Sequence, residues 1–226
     1  MGIDRVVIFG VGSPLAIDLE ESCSRLELEI VAGVRNVPGP SFLSERLRVV
    51  EAEALDRSLT ALPFILPMFT PNHRRTALAD ARVRGFAHAA TVIDPTSVIA
   101  VSTQMGEGCY VNAGCTIGGA GRFGAFVLVN RAVSIGHHAN VGDFASIGPG
   151  AVLSGFIELG PGAVIGAGSV LLPKVTIGAN TFVGAGSVVT KSMPPDCVVI
   201  GNPGKVVKRR GDGGSSAWRA ENEGPS

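Results

Sequence analysis

The sequence predicts two fold classes in one chain: a small α/β segment, then an all-β coil built on a six-residue repeat. Three observations predict it: an unbroken hexad pattern from Ile93 to Val189, a high glycine content, and a strand, glycine turn and helix pattern near the start.

The hexads carry most of the argument. Stepping six residues at a time from Ile93 meets Ile99, Met105, Val111, Ile117, Phe123, Val129, Ile135, Val141, Ile147, Leu153, Leu159, Ile165, Leu171, Ile177, Val183 and Val189, all apolar. With 46% of the chain hydrophobic, chance would produce such a run roughly two times in a million. A second register lies four residues after each, where small or β-branched side chains recur, as at Ser97, Thr103, Cys115, Ala139, Ala145, Ala151, Ala163, Ser169, Thr181 and Ser187. A period of six fits neither an α-helix nor a simple alternating strand; it suits short strands joined by sharp turns around a triangular coil. Gly106, Asn112, Gly118, Asn130, Gly136 and Gly160 follow aliphatic positions directly, and the expectation is that they serve backbone dihedrals that other residues resist.

Composition agrees. The chain has 226 residues with 31 Gly, one Trp and one Tyr, as many tight turns around a small-residue core require. Nineteen basic residues offset nineteen acidic ones, so no global field gathers nucleic acid or an anionic membrane. The first apolar run, Val6 to Phe9, is too short to span a bilayer and lacks a cleavage pattern after it, which predicts a cytoplasmic protein. Cys23, Cys109, Cys115 and Cys197 have no zinc-type spacing and read as reduced packing residues.

Before the repeat, VVIFG reads as a strand, Gly10 and Gly12 as a turn, and the stretch through Leu15, Leu19 and Ser22 as a helix. Leu28 to Val34 and Phe64 to Phe69 read as further strands, and Pro71 to Val83 as a helix. A strand, glycine turn and helix bring backbone N–H groups and the helix dipole together as a phosphate cradle. Gly10, Gly12 and Ser13 are therefore candidates for substrate binding, although a plain βα turn explains the same residues.

The stretches IGPGAV, IGAGSV, IGANTF and VGAGSV resemble the hexapeptide-transferase repeat, and GNPGKVVKR resembles the ending found after the last coil. The resemblance covers about residues 93–207 and implies a left-handed parallel β-helix of three hexads per coil, a homotrimer, and acyl-CoA between neighbouring prisms. Seventeen hexads make between five and six coils. The order of the two segments resembles sialic-acid O-acetyltransferases and UDP-amino-sugar N-acetyltransferases, in which a Rossmann-like domain holds the nucleotide. The expected organisation is a Rossmann-like α/β domain over 1–90, the β-helix over 91–207 and a disordered tail over 208–226. Two departures concern the nucleotide: GVGSP replaces a Gly-His turn, and the second strand ends in Val34, Arg35 and Asn36 where an acidic residue is common.

Acyl transfer needs a base for the nucleophile's proton and a donor for the thioester oxygen. His137 and His138 fall between two inward positions of the hexad at Ile135 and should point outward. The string VNRAVSIGHHANVGDF resembles the family's catalytic segment, which implies His137 as the base, Asn130 on the substrate side, and His138 where an orienting acid is usual. Ser146 stands where relatives often carry a second histidine that holds substrate. Eighteen residues past His137 lies Gly155, predicted one coil away at about 4.8 Å, where its N–H can meet the thioester carbonyl. The resemblance implies Ala185 as a backbone contact to the acetyl-CoA arm, and Ala167 is assigned to cofactor binding with it. Asn112 lies eighteen residues before Asn130, so both also fit a plain stack of turn residues.

Lys205, Lys208, Arg209 and Arg210 form a basic run, and Lys205 is a candidate for the phosphates of CoA. No metal is expected, because adjacent His137 and His138 do not make a three-histidine site. The sequence thus predicts an acetyl-CoA-dependent acyltransferase acting on a sugar or nucleotide-linked amino sugar. Alternatives are a non-catalytic trimeric scaffold and an acyltransferase for a non-sugar amine or hydroxyl.

Overall fold

The structure, a computed structural model, describes residues 3–209. Its first part runs β1 (Arg5–Phe9), α1 (Leu15–Arg25), β2 (Glu29–Arg35), β3 (Val49–Glu51), α2 (Arg57–Thr60), β4 (Phe64–Ile65) and α3 (Pro71–Val83). The strands form a parallel sheet in the order β3-β2-β1-β4. β1 is apolar at four successive residues because both its faces are covered. Val6 and Ile8 pack with Ala16, Leu19 and Cys23 of α1, while Val7 and Phe9 pack with Ala77 and Ala81 of α3. The strand expected over Phe64 to Phe69 stops at Ile65; Pro67 has no N–H to give a ladder. The three-residue β3 is too short for its alternation to be read from sequence.

From Val92 the chain winds as a parallel β-helix of two-residue strands. Each strand pairs with those eighteen residues before and after it, as Ser134 does with Thr116 and Val152. Three parallel sheets result. The first face carries the strands at Val92, Tyr110, Leu128, Ser146, Val164 and Phe182; the second those at Val98, Thr116, Ser134, Val152, Val170 and Val188; the third those at Gln104, Arg122, Asn140, Glu158 and Thr176. The repeating aliphatics from Val111 to Val189 are buried in one cluster, with Ile93, Ile99 and Met105 packed against it.

The small inward residues are satisfied in a regular way. Ser97, Thr103 and Ser169 donate hydroxyl protons to the carbonyls of Asn112, Gly118 and Gly184, each fifteen residues on, at 2.7, 2.8 and 3.0 Å. A buried hydroxyl thus costs little here, because the next coil supplies its acceptor. Cys109 and Cys115 make the same contact through sulfur with Gly124 and Asn130, and all four cysteines are free and buried.

The glycines directly after the aliphatics do not serve dihedrals, contrary to expectation. A Cβ on Gly136 would stand 2.6 Å from the Gly155 nitrogen, and one on Gly118 2.7 Å from the His137 nitrogen. Glycine is therefore selected by the close approach of successive coils. The left-handed positions come two residues later, and they accept Ala120, His138, Phe156 and Lys174 at φ of 57°, 56°, 58° and 64°.

The α/β segment sits on the first face. Tyr110 and Leu128 project from that face into the core of α1 and β1. Asp94, fully buried, accepts from Ser22 at 2.7 Å, Arg25 at 2.6 Å and Thr96 at 2.6 Å. Burial works to raise its pKa, yet these hydrogen bonds hold it well below the usual carboxylate range. Arg74 of α3, 1% exposed, is the other clamp. Its Nε donates to the Phe126 carbonyl, and its terminal nitrogens donate to the carbonyls of Met68, Phe69, Phe144 and Ala145 and to the Ser146 hydroxyl. Burial pushes its pKa down to about 9, which leaves it charged at neutral pH. At the far end Cys197–Ile200 continues the first face and Lys205–Arg209 turns back antiparallel on it. Lys208 and Arg209 thus belong to a strand and not to the expected tail; Arg210 and the rest of that tail lie outside the described residues.

Candidate active site

The His137–His138 turn joins the second face, at Ser134–Ile135, to the third, at Asn140–Val141. That vertex lies opposite the first face and its α/β cover. Both histidines are exposed. The coil arithmetic of the sequence appears directly as hydrogen bonds: His138 N–H donates to Gly119, Phe156 N–H to His137 and Lys174 N–H to Gly155, at 2.8, 2.9 and 3.0 Å.

Gly155 lies against the imidazole of His137. A Cβ at residue 155 would stand 2.9 Å from Cε1 and 3.0 Å from Nε2. Only a residue without Cβ leaves the ring where it is. The Gly155 N–H makes no hydrogen bond within the described residues. The His137 ring edge and a residue with an unspent N–H therefore lie next to each other. Gly155→Ala is expected to move the ring and lower kcat about 10- to 100-fold with an unchanged unfolding midpoint. Steady-state kinetics beside urea unfolding measures both.

His137 Nδ1 and His138 Nδ1 are 3.0 Å apart. Phe156, which sequence reading missed, organises both rings: it stacks on His138 at 4.6 Å between centroids and 19° between planes, and meets His137 edge-on at 5.0 Å. Its signal was available, since it lies eighteen residues after His138.

The other candidates fall elsewhere. Asn130 is 6% exposed, at the corner between first and second faces. Its Oδ1 accepts from Asn112 Nδ2 at 3.2 Å and from the Arg131 N–H at 2.8 Å, and Asn112 also donates to Asp18 of α1. The stack of turn asparagines is thus present, and it reaches the α/β segment. Ser146 has no exposed surface; its hydroxyl donates to the Phe69 carbonyl at 2.5 Å and accepts from Arg74. It sits in the junction between the two segments, because the first face is the one that the α/β segment covers. Ala167 and Ala185 are exposed on the first-to-second corner, across the second face from Gly155. Lys205 is exposed at the end of the coil.

In the α/β segment, Gly10 has φ 100°, and a Cβ there would strike the Met68 methyl and stand 3.5 Å from Asn36 Oδ1. Gly12 faces Val37, and Ser13 Oγ donates to the Pro67 carbonyl at 2.8 Å. Beside this turn lies a cleft of about 310 Å³ lined by Arg35, Asn36, Val37, Pro38, Gly39, Glu51 and Glu53. Arg35 bonds Glu51 at 2.6 Å, but its Nε and the Asn36 Oδ1 are buried without partners, the kind of polar pair that a ligand satisfies. Among the described residues no group of three or more His, Cys, Asp or Glu is placed to hold a metal, and no helix is long and apolar enough to cross a membrane.

The coil is built on a hexapeptide repeat, and residues 156–191 match the family model "Bacterial transferase hexapeptide (six repeats)". Among solved structures, perosamine N-acetyltransferase from Caulobacter crescentus, as a histidine-to-asparagine variant with CoA and GDP-perosamine, is 28% identical at a TM-score of 0.80, covering 92% of this chain and 98% of its own. The acetyltransferase domain of PglB from Neisseria gonorrhoeae, with acetyl coenzyme A, shares the fold at 24% identity and a TM-score of 0.79, over 91% of this chain and 100% of its own. WeeI from Acinetobacter baumannii shares it at 21% and 0.71, over 90% and 99%. A search of curated proteins gives no match.

Proposed function

We propose that this chain is an acetyl-CoA-dependent acetyltransferase that acts on a nucleotide-linked amino sugar, with His137 as general base and the Gly155 N–H as oxyanion donor. The observation that carries the reading is the approach of the His137 ring to Gly155, so close that a Cβ there would stand 3.0 Å from Nε2. The likeness to perosamine N-acetyltransferase over nearly the whole of both chains supports the acceptor class and the cosubstrate. The acceptor nitrogen attacks the thioester carbon, His137 Nε2 takes its proton, and the oxygen's developing charge rests on the Gly155 N–H.

The parallel strand order β3-β2-β1-β4 and the glycine turn support a Rossmann-like reading of the α/β segment, with the nucleotide in the Arg35–Asn36 cleft. Gly10, Gly12 and Ser13 then border the acceptor, while Ala167, Ala185 and Lys205 border CoA. The hexads fit the left-handed form of the coil, and acetyl-CoA as donor fits a cytoplasmic enzyme.

This reading requires a homotrimer. The cleft belongs to the segment covering the first face, whereas His137 occupies the opposite vertex, so the acceptor held by one copy must meet the histidine of a neighbour. The second face beside that vertex supports such packing: Val98 and Val152 are 68% and 43% exposed and Phe156 48%, while the third face presents Gln104, Arg122, Asn140 and Glu158. The test mixes two inactive variants, His137→Ala and Gly12→Trp, in one trimer. In a random equal mixture a quarter of the interfaces combine an intact cleft with an intact histidine, so about one quarter of the wild-type rate returns. No recovery in co-purified mixed trimers overturns the shared site.

A further inference from the structure

We infer that His138 is a positioning residue that fixes the working tautomer of His137 through a single shared proton, replacing an anionic partner with a neutral one. The proposal rests on His137 being the base.

Three observations carry it. The two Nδ1 atoms are 3.0 Å apart, a hydrogen-bond distance that two like nitrogens reach only when one carries a proton and the other a lone pair. His138 is the fixed member: its backbone is left-handed at φ 56°, its N–H is spent on Gly119 at 2.8 Å, and its ring lies flat on Phe156. Finally, among the described residues no carboxylate bonds either ring, and the adjacent coils present Gly119, Ala120, Gly155 and Phe156, none of which titrates. Among the described residues of one copy, His138 is the side chain in place to decide which nitrogen of His137 is protonated.

The direction of the bond follows from chemistry. If His138 donated, the proton of neutral His137 would sit on Nε2, and its lone pair would be closed inside the pair. With His137 donating from Nδ1, His138 carries its own proton on Nε2, and the lone pair of His137 Nε2 faces the Gly155 side. When the acceptor nitrogen bonds to the thioester carbon, its N–H bond breaks and a proton goes to His137 Nε2. The pair then holds one positive charge, which the Nδ1–H···Nδ1 bond spreads over both rings. As the C–S bond breaks, sulfur keeps the electron pair and takes that proton from Nε2, which returns both rings to their starting forms.

The test is long-range ¹H–¹⁵N spectroscopy of histidine-labelled protein, with kinetics on the same samples. Wild type is expected to show His137 protonated on Nδ1. His138→Phe keeps an aromatic ring on Phe156 but removes the acceptor. It should move the His137 proton to Nε2 and lower kcat about 10- to 100-fold, a part of the general-base contribution, with KM for acetyl-CoA unchanged. His138→Asn, whose amide oxygen accepts, should return the Nδ1–H form and most of kcat. A His137 already protonated on Nε2 in wild type, or full kcat in His138→Phe, overturns the inference. The tautomer is read without turnover, so its failure is distinct from failure of the base assignment, which shows instead as full turnover in His137→Ala.

Discussion

With His137 as the proposed base, His137→Ala is expected to lower acetyl transfer by about 10² to 10⁴-fold, the span that a general base contributes, while acetyl-CoA binding and the proposed assembly persist. The imidazole projects from an exposed turn, and its removal takes nothing from the prism core. The turn itself is held by backbone bonds to Gly119 and Phe156 that do not involve the ring. The effect therefore falls on kcat and not on stability or cofactor affinity. Steady-state transfer beside calorimetric titration with acetyl-CoA separates the two. Full turnover in the variant removes His137 from the mechanism even if the cofactor still binds.

Arg74→Met is expected to destabilise the chain by about 3–5 kcal/mol, because several buried acceptors lose their donor at about 1–3 kcal/mol each. The guanidinium reaches five carbonyls and the Ser146 hydroxyl from one side chain. Its loss takes the donor from the carbonyls of Met68, Phe126 and Phe144 in a buried junction, while Ala145 keeps the Leu128 N–H and Phe69 keeps the Ser146 hydroxyl. Methionine keeps much of the volume, which isolates the polar loss from a cavity. Lysine should recover only part, since one ammonium cannot span acceptors on α3's own loop and on two coils. A shifted urea midpoint at constant slope measures the effect; a loss below about 1 kcal/mol would show that apolar burial alone holds the segments together.

The hexad register was legible because one physical requirement, an inward aliphatic every six residues, recurs without interruption. The same arithmetic located Gly155 beside His137, since eighteen residues make one coil. The purpose of the glycines was not legible: Gly136 and Gly118 serve contacts between coils, and a one-dimensional pattern cannot tell a close approach from an unusual dihedral. Ser146 shows another limit. Its hexad position says only that it points outward, and the α/β segment docked on that face converts outward into buried. Arg74 gave no signal for the same reason, because its acceptors are carbonyls brought together by docking. Arg35 and Asn36 could be noted as departures, but the cleft they line with Glu51 and Glu53 depends on β3, which the sequence did not announce.

Acetyl transfer is measured by incubating the purified protein with acetyl-CoA and a panel of GDP-, UDP- and dTDP-linked amino sugars, and following free thiol and acetylated sugar together. The prediction is stoichiometric release of CoA and an N-acetylated nucleotide sugar, with no transfer to the matching sugar bearing hydroxyl in place of the amine. Acetyl-CoA left intact with every amino sugar of the panel would contradict it and favour a hexapeptide scaffold without chemistry.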